Sequence, residues 1–121
     1  RCFCDVRDVA RALPALLARP ACHGRVFNVG SDVPVTIGEL AETVRRVLGS
    51  SSEIVRVAYE EAYPEGYEDL RYRRPDLARV REAIAFEPTI SLERTIGDIA
   101  ADIGARDACG DGAGLGRGAP A

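Results

Sequence analysis

The chain has no lysine, no tryptophan and no methionine, and its single histidine is His23. The missing lysine excludes most. A Schiff base, a phosphate-loop lysine and a Tyr-x-x-x-Lys dyad all need one, so none can be completed within these 121 residues. No Gly-x-Gly-x-x-Gly follows a strand and opens a helix, so no dinucleotide cradle is present. His23 lies in the loop Arg19–Gly24 with no acidic or nucleophilic neighbour, which makes it a surface residue and not a base. No apolar run approaches the length of a membrane span, and no secretory signal is visible. A cytoplasmic setting is therefore expected.

Cysteine is sparse too. Cys2, Cys4, Cys22 and Cys109 share no zinc-module spacing, even with His23 beside Cys22. No metal site is expected, and Cys2 and Cys4 read as small apolar side chains on one face of a short strand. The net charge of −3 and the lack of a basic stripe with interleaved aromatics argue against a nucleic-acid partner. What remains, at 46% hydrophobic and 29% charged, has the composition of a globular domain.

Residues 1–5 alternate as a short strand, and Asp5 is placed to cap a helix running to about Ala18. Val6, Val9, Leu13, Leu16 and Leu17 form its apolar stripe, and Pro14 should kink it or shorten one end. Residues 25–30 read as a strand. Thr36 and Glu39 form a capping box for a helix over 37–48 that Gly49 ends. Residues 54–57 read as a second strand. Strand, helix and strand make a βαβ unit with parallel strands, so the expected class is α/β.

Directly after that unit comes the most uneven stretch of the chain. Five carboxylates between Tyr59 and Asp69 give way to Arg71, Arg73 and Arg74, then Pro75 and Asp76. Ligands of open α/β sheets sit beyond the carboxyl ends of parallel strands, and a guanidinium fork suits a phosphate. The competing reading is a solvated loop whose arginines pair with the preceding glutamates. Asp76 should cap a short helix with Leu77, Val80 and Ile84 inward. Ser91 should cap a last helix carrying Leu92, Ile96, Ile99 and Ile103, ending at Gly104. Residues 105–121 are glycine- and alanine-rich and are expected to form a disordered tail.

These segments together resemble the extended short-chain dehydrogenase/reductases, or NAD-dependent epimerase/dehydratase family, that act on nucleotide sugars. Arg1-Cys2-Phe3-Cys4-Asp5-Val6-Arg7-Asp8-Val9 is similar to the family's Arg-x-Phe-x-Tyr-Val-x-Asp-Val, with Asp5 in the tyrosine position. Phe27-Asn28-Val29-Gly30 and Thr36-Ile37-x-Glu39-Leu40 match the strand and helix opening that follow. Asp69-x-x-x-Arg73-x-Pro75-Asp76 resembles Asp-Pro-x-x-Arg-x-Pro-Asp, with Leu70 in place of the proline. Phe86-x-Pro88 and Leu92-Glu93 fit the closing helix.

The resemblance implies that residues 1–104 are the C-terminal nucleotide-sugar-binding region of such an enzyme, without its N-terminal Rossmann domain. UDP-sugars are the favoured substrates, with chemistry like that of UDP-glucose 4-epimerase. Arg1 and Arg73 would grip the diphosphate and ribose side of the substrate, while Asp8 and Asn28 would be structural. Arg71 and Arg74 would pair with Glu60, Glu61, Glu65 or Glu68. NAD and the catalytic groups would belong to the missing domain, so this region would supply orientation and affinity, not chemistry. A homodimer of the full-length enzyme is also implied. The alternatives are a stand-alone nucleotide- or partner-binding domain and an inactive remnant with an exposed apolar face. The coding sequence upstream of Arg1 would separate them.

Overall fold

A computed structural model describes residues 1–63 and 72–109, with backbone alone at 59–60 and 107–109. The elements are α1 (Val6–Leu17), a 3-10 turn (Pro20–Cys22), α2 (Ile37–Val47), α3 (Tyr59–Ala62), α4 (Ala78–Ile84) and α5 (Leu92–Cys109).

Local chemistry sets the helix ends. The Asp5 carboxylate accepts from the Arg7 amide at 2.9 Å and starts α1. The helix runs through Pro14 and ends one turn later, its C-terminal residue followed by Ala18, whose amide reaches the Pro14 carbonyl at 2.9 Å. Thr36 and Glu39 form the reciprocal capping box at the start of α2. At its far end the Ser50 amide bonds the Arg45 carbonyl and the Gly49 amide bonds Arg46, a Schellman closure with Gly49 at φ +59. Ser91 Oγ accepts from the Arg94 amide at 3.2 Å to open α5. That helix passes the expected stop at Gly104 and continues to Cys109, so 105–109 are helical. Residues 110–121, the rest of the expected tail, lie outside the described residues.

The core is small. Ala12, Leu77, Val80 and Phe86 are buried, and Leu16, Phe27, Val29 and Ile84 pack against them. The inward set expected for α4 is therefore in place, and Phe86 joins it from the segment between α4 and α5. α1 meets α4, and α2 meets α5.

The buried face of α1 takes only part of the expected stripe: Leu16 packs on the core and Val9 is half-buried. Asp8 and Ala12 point inward, while Val6, Leu13 and Leu17 are exposed. The helix carries apolar residues on two faces, and hydrophobic period alone does not say which one the core takes. Asp8 decides it, because its carboxylate is saturated by the chain that passes the helix. Its oxygens accept from the Thr89 amide at 3.0 Å, the Thr89 hydroxyl at 2.9 Å, the Ile90 amide at 3.0 Å and Arg11 at 2.8 Å. A buried carboxylate needs such donors, and this rotation of α1 supplies them.

Residues 25–30 keep the alternation of a strand. Phe27 and Val29 pack on the core while Val26 and Asn28 face out. Neither 25–30 nor 54–57 forms a sheet ladder among the described residues; strand structure belongs to a pair of segments, not to one. The β-type pairing among those residues is an antiparallel bridge between Cys2 and Pro34. Beside it Arg1 and Val35 exchange both backbone hydrogen bonds, at 2.8 and 2.7 Å.

Candidate functional site

The Arg1–Val35 exchange fixes the start of the chain against the loop after Gly30. That loop and the first residues together receive the segment 73–76, which arrives from the acid-then-arginine stretch. Three contacts hold it. The Cys2 thiol donates to the Arg73 carbonyl at 3.5 Å. The Arg74 guanidinium lies 3.6 Å from the Asp32 carboxylate. Asn28 Nδ2 donates to the Asp76 carbonyl at 3.1 Å, the structural role expected of Asn28. Asp76 in turn accepts from the Ala78 amide at 2.9 Å and leads the chain into α4.

The sequence-derived site residues thus come to one place by their backbones. Arg1 is half-buried at the bridge, and Arg73 is exposed, one contact away through Cys2. Among the described residues no carboxylate pairs with Arg73. An exposed guanidinium with both fork edges available is suited to an incoming anion. Arg71, Glu65 and Glu68 lie outside the described residues. The expected pairing of Arg74 with Glu60, Glu65 or Glu68 falls on side chains outside the described ones; among the described residues Arg74 lies against Asp32.

Asp32 and Arg81 are the residues that sequence reasoning missed. Arg81 on α4 meets Asp32 with two bonds, at 2.9 and 3.3 Å, and Glu87 with two more, at 2.9 and 3.1 Å. The hydrogen bond from Arg81 holds the Asp32 carboxyl below the usual aspartate value, against an opposing effect of burial, and the charges of Arg81 and Arg74 add to it. Asp32, bonded first and Glu87 second, hold Arg81 firmly protonated. Asp32 is 49 residues from Arg81, and nothing local in Ser31-Asp32-Val33 marks it as more than a loop residue.

A second cluster lies at the other end of residues 1–5. Asp5 accepts from Arg7 and from the Thr95 hydroxyl, and Arg7 reaches on to Asp98 at 2.6 Å. These bonds, with the Arg7 side chain foremost, hold Asp5 far below the ordinary carboxylate range. Asp5 and Arg7 therefore form an ion-pair link between α1 and α5. Burial, with help from the Asp8 and Asp5 charges, pushes the Cys4 thiol up.

Two cavities lie nearby. One of about 520 Å³ is lined by Phe3, Val33, Val35, Ile90 and Leu92 together with Glu39 and Glu93. The other, of about 670 Å³, lies between the start of α2 and residues 54–57. Neither has Arg1 or Arg73 in its lining, and the carboxylates in both are unsuited to a diphosphate. Among the described residues no three His, Cys, Asp or Glu side chains are grouped to hold a metal ion, and no helix is long and apolar enough to cross a membrane.

Comparison with known proteins finds a UDP-N-acetyl-alpha-D-glucosaminuronate decarboxylase of Bacillus cytotoxicus, 35% identical over 94 residues. The match covers 78% of this chain and 29% of that protein, so the chain spans under a third of the relative's length. No family model matches the chain. No solved structure matches it. The similarity supports a nucleotide-sugar-modifying enzyme family as the setting of this sequence.

Proposed function

We propose that this chain is the substrate-holding part of an NAD-dependent nucleotide-sugar-modifying enzyme of the epimerase/dehydratase family, with a UDP-sugar as the substrate class. The observation that carries the reading is the 35% identity over 94 residues to an enzyme named for decarboxylating a UDP-sugar acid. The Arg1–Cys2–Arg73 arrangement supports it, because it brings the two motif arginines to one junction. On this reading the α/β class expected from the sequence is that of the whole enzyme.

In this reading Arg73 donates two parallel hydrogen bonds to a diphosphate oxygen pair, and Arg1 adds charge from the neighbouring segment. Pro75 restricts the backbone of the residue before it to extended conformations, so the loop reaches the ligand with fewer alternatives to lose. The residues present do not fit NAD: among the described residues no glycine-rich turn joins a strand to a helix, and the chain has no lysine for a Tyr-x-x-x-Lys dyad. No step is therefore assigned to a dinucleotide on this chain; in a protein of the relative's length, NAD would belong to the part these residues do not span. The similarity to a decarboxylase supports sugar modification in general and favours no single outcome among epimerisation, dehydration and decarboxylation. Calorimetry of the chain with UDP, against its Arg73→Ala form, tests the assignment.

A further inference from the structure

We propose that Asp32 is a positioning residue for the ligand arginine: it fastens Arg74, and through Arg74 it sets the direction of Arg73. The inference rests on the reading of Arg73 as the diphosphate contact.

The geometry runs through four side chains. Arg74 precedes Pro75 and is confined to extended backbone. In extended backbone, successive side chains leave on opposite sides. Arg74 turns to Asp32 at 3.6 Å, so Arg73 is turned the other way and remains exposed. Asp32 is itself held by two bonds from Arg81, and Arg81 is held by two from Glu87. Arg11, from α1, caps this line with a bond to the Glu87 carbonyl at 2.7 Å. The Asp32 side chain is only 20% exposed, whereas Arg74 is 53% exposed. The fixed member of the pair is therefore the carboxylate, and the loop arginine is what it fastens. The Cys2 contact restrains the Arg73–Arg74 peptide at its carbonyl.

Electrostatics and positioning predict opposite signs. Asp32→Asn removes a negative charge near an anion site, which by Coulomb attraction alone would tighten UDP binding. Loss of positioning would weaken it.

The experiment titrates UDP into the 121-residue chain and into its Asp32→Asn, Asp32→Glu, Arg74→Gln and Asp32→Asn/Arg74→Gln forms, with thermal midpoints recorded for each. Positioning predicts that Asp32→Asn and Arg74→Gln each weaken UDP by up to about fivefold. The double variant should lose no more than either single one, and Asp32→Glu should recover part of the loss. Arg74→Gln alters an exposed side chain but also removes a positive charge, which by Coulomb attraction alone weakens UDP, so its loss supports positioning only where it persists at high salt, and unchanged binding overturns the proposal even if Asp32→Asn fails to fold. Unchanged or tighter binding in Arg74→Gln or in folded Asp32→Asn overturns the proposal, as does full additivity in the double variant. If Arg73→Ala keeps full affinity, the site assignment falls and this proposal with it. If Arg73→Ala loses affinity but Arg74→Gln does not, only the positioning role falls. Absence of UDP binding by the unsubstituted chain overturns both.

Discussion

The Cys2 thiol donates to the carbonyl of Arg73 across 71 residues of sequence. This contact joins the two segments that carry the motif arginines. With the Arg1–Val35 exchange and the Asn28 bond to Asp76, it makes the start of the chain, the loop after Gly30 and the arginine segment one unit. Four outcomes follow from this arrangement and from the small core behind it.

Two helix ends form a mirror pair. Gly49 ends α2 at φ +59 and Ala85 ends α4 at φ +51. A side chain at left-handed φ costs about 1–2 kcal/mol. Nothing lies within 4 Å of a Cβ added at Gly49, so the effect there is one of backbone alone. Gly49→Ala should lose about 1 kcal/mol, and Ala85→Gly should gain about 0.5–1 kcal/mol after the entropy that glycine adds to the unfolded chain. Urea unfolding of both variants checks the opposite signs.

Leu77 and Leu17 separate the two faces. Leu77 is 1% exposed and Leu17 is 74% exposed. Leu77→Ala should cost about 2–5 kcal/mol, and Leu17→Ala should change stability by no more than about 0.5 kcal/mol. Equal losses would restore the apolar stripe, and not Asp8 and Ala12, as the buried face of α1.

Acid should unfold the chain through its aspartates. Burial pulls the Asp8 carboxyl upward, but the bonds from Ile90 and Thr89 outweigh it and hold its pKa below the ordinary 3.8. Asp5 and Asp32 are shifted the same way. A depressed folded-state pKa gives stability that is complete above the unfolded value and lost as pH falls toward the folded one. The thermal midpoint should be flat above about pH 5 and fall steeply below about pH 4. Asp8→Asn sets an amide donor against the Thr89 and Ile90 donors and should lose about 2 kcal/mol at neutral pH, with a shallower acid limb. Circular dichroism melts across pH read both effects.

Features read correctly from the sequence depend on partners close along the chain. Asp5 with the Arg7 amide, Thr36 with Glu39 and Ser91 with the Arg94 amide span two or three residues, and such bonds form wherever the local chain allows. The face of α1 was not legible, because it depends on Thr89 and Ile90, more than eighty residues from Asp8. Asp32 was invisible for the same reason: its meaning comes from Arg74 and Arg81, which only folding brings to it. The motif singled out Arg73 as a proposed ligand contact, and its anchoring by Cys2, 71 residues away, left no mark in the sequence. The continuation of α5 beyond Gly104 shows a glycine treated as a stop where the chain keeps a helical path to Cys109; an isolated interior glycine costs a helix only about 1 kcal/mol.

The role of Arg73 bears most weight, and one measurement addresses it. UDP is titrated by calorimetry into the chain and into its Arg73→Ala form at the same ionic strength. Measurable binding is expected of the first and a loss of about 1.5–3 kcal/mol in the second, the contribution of a charge-assisted phosphate contact. Equal affinity in the two proteins would contradict it.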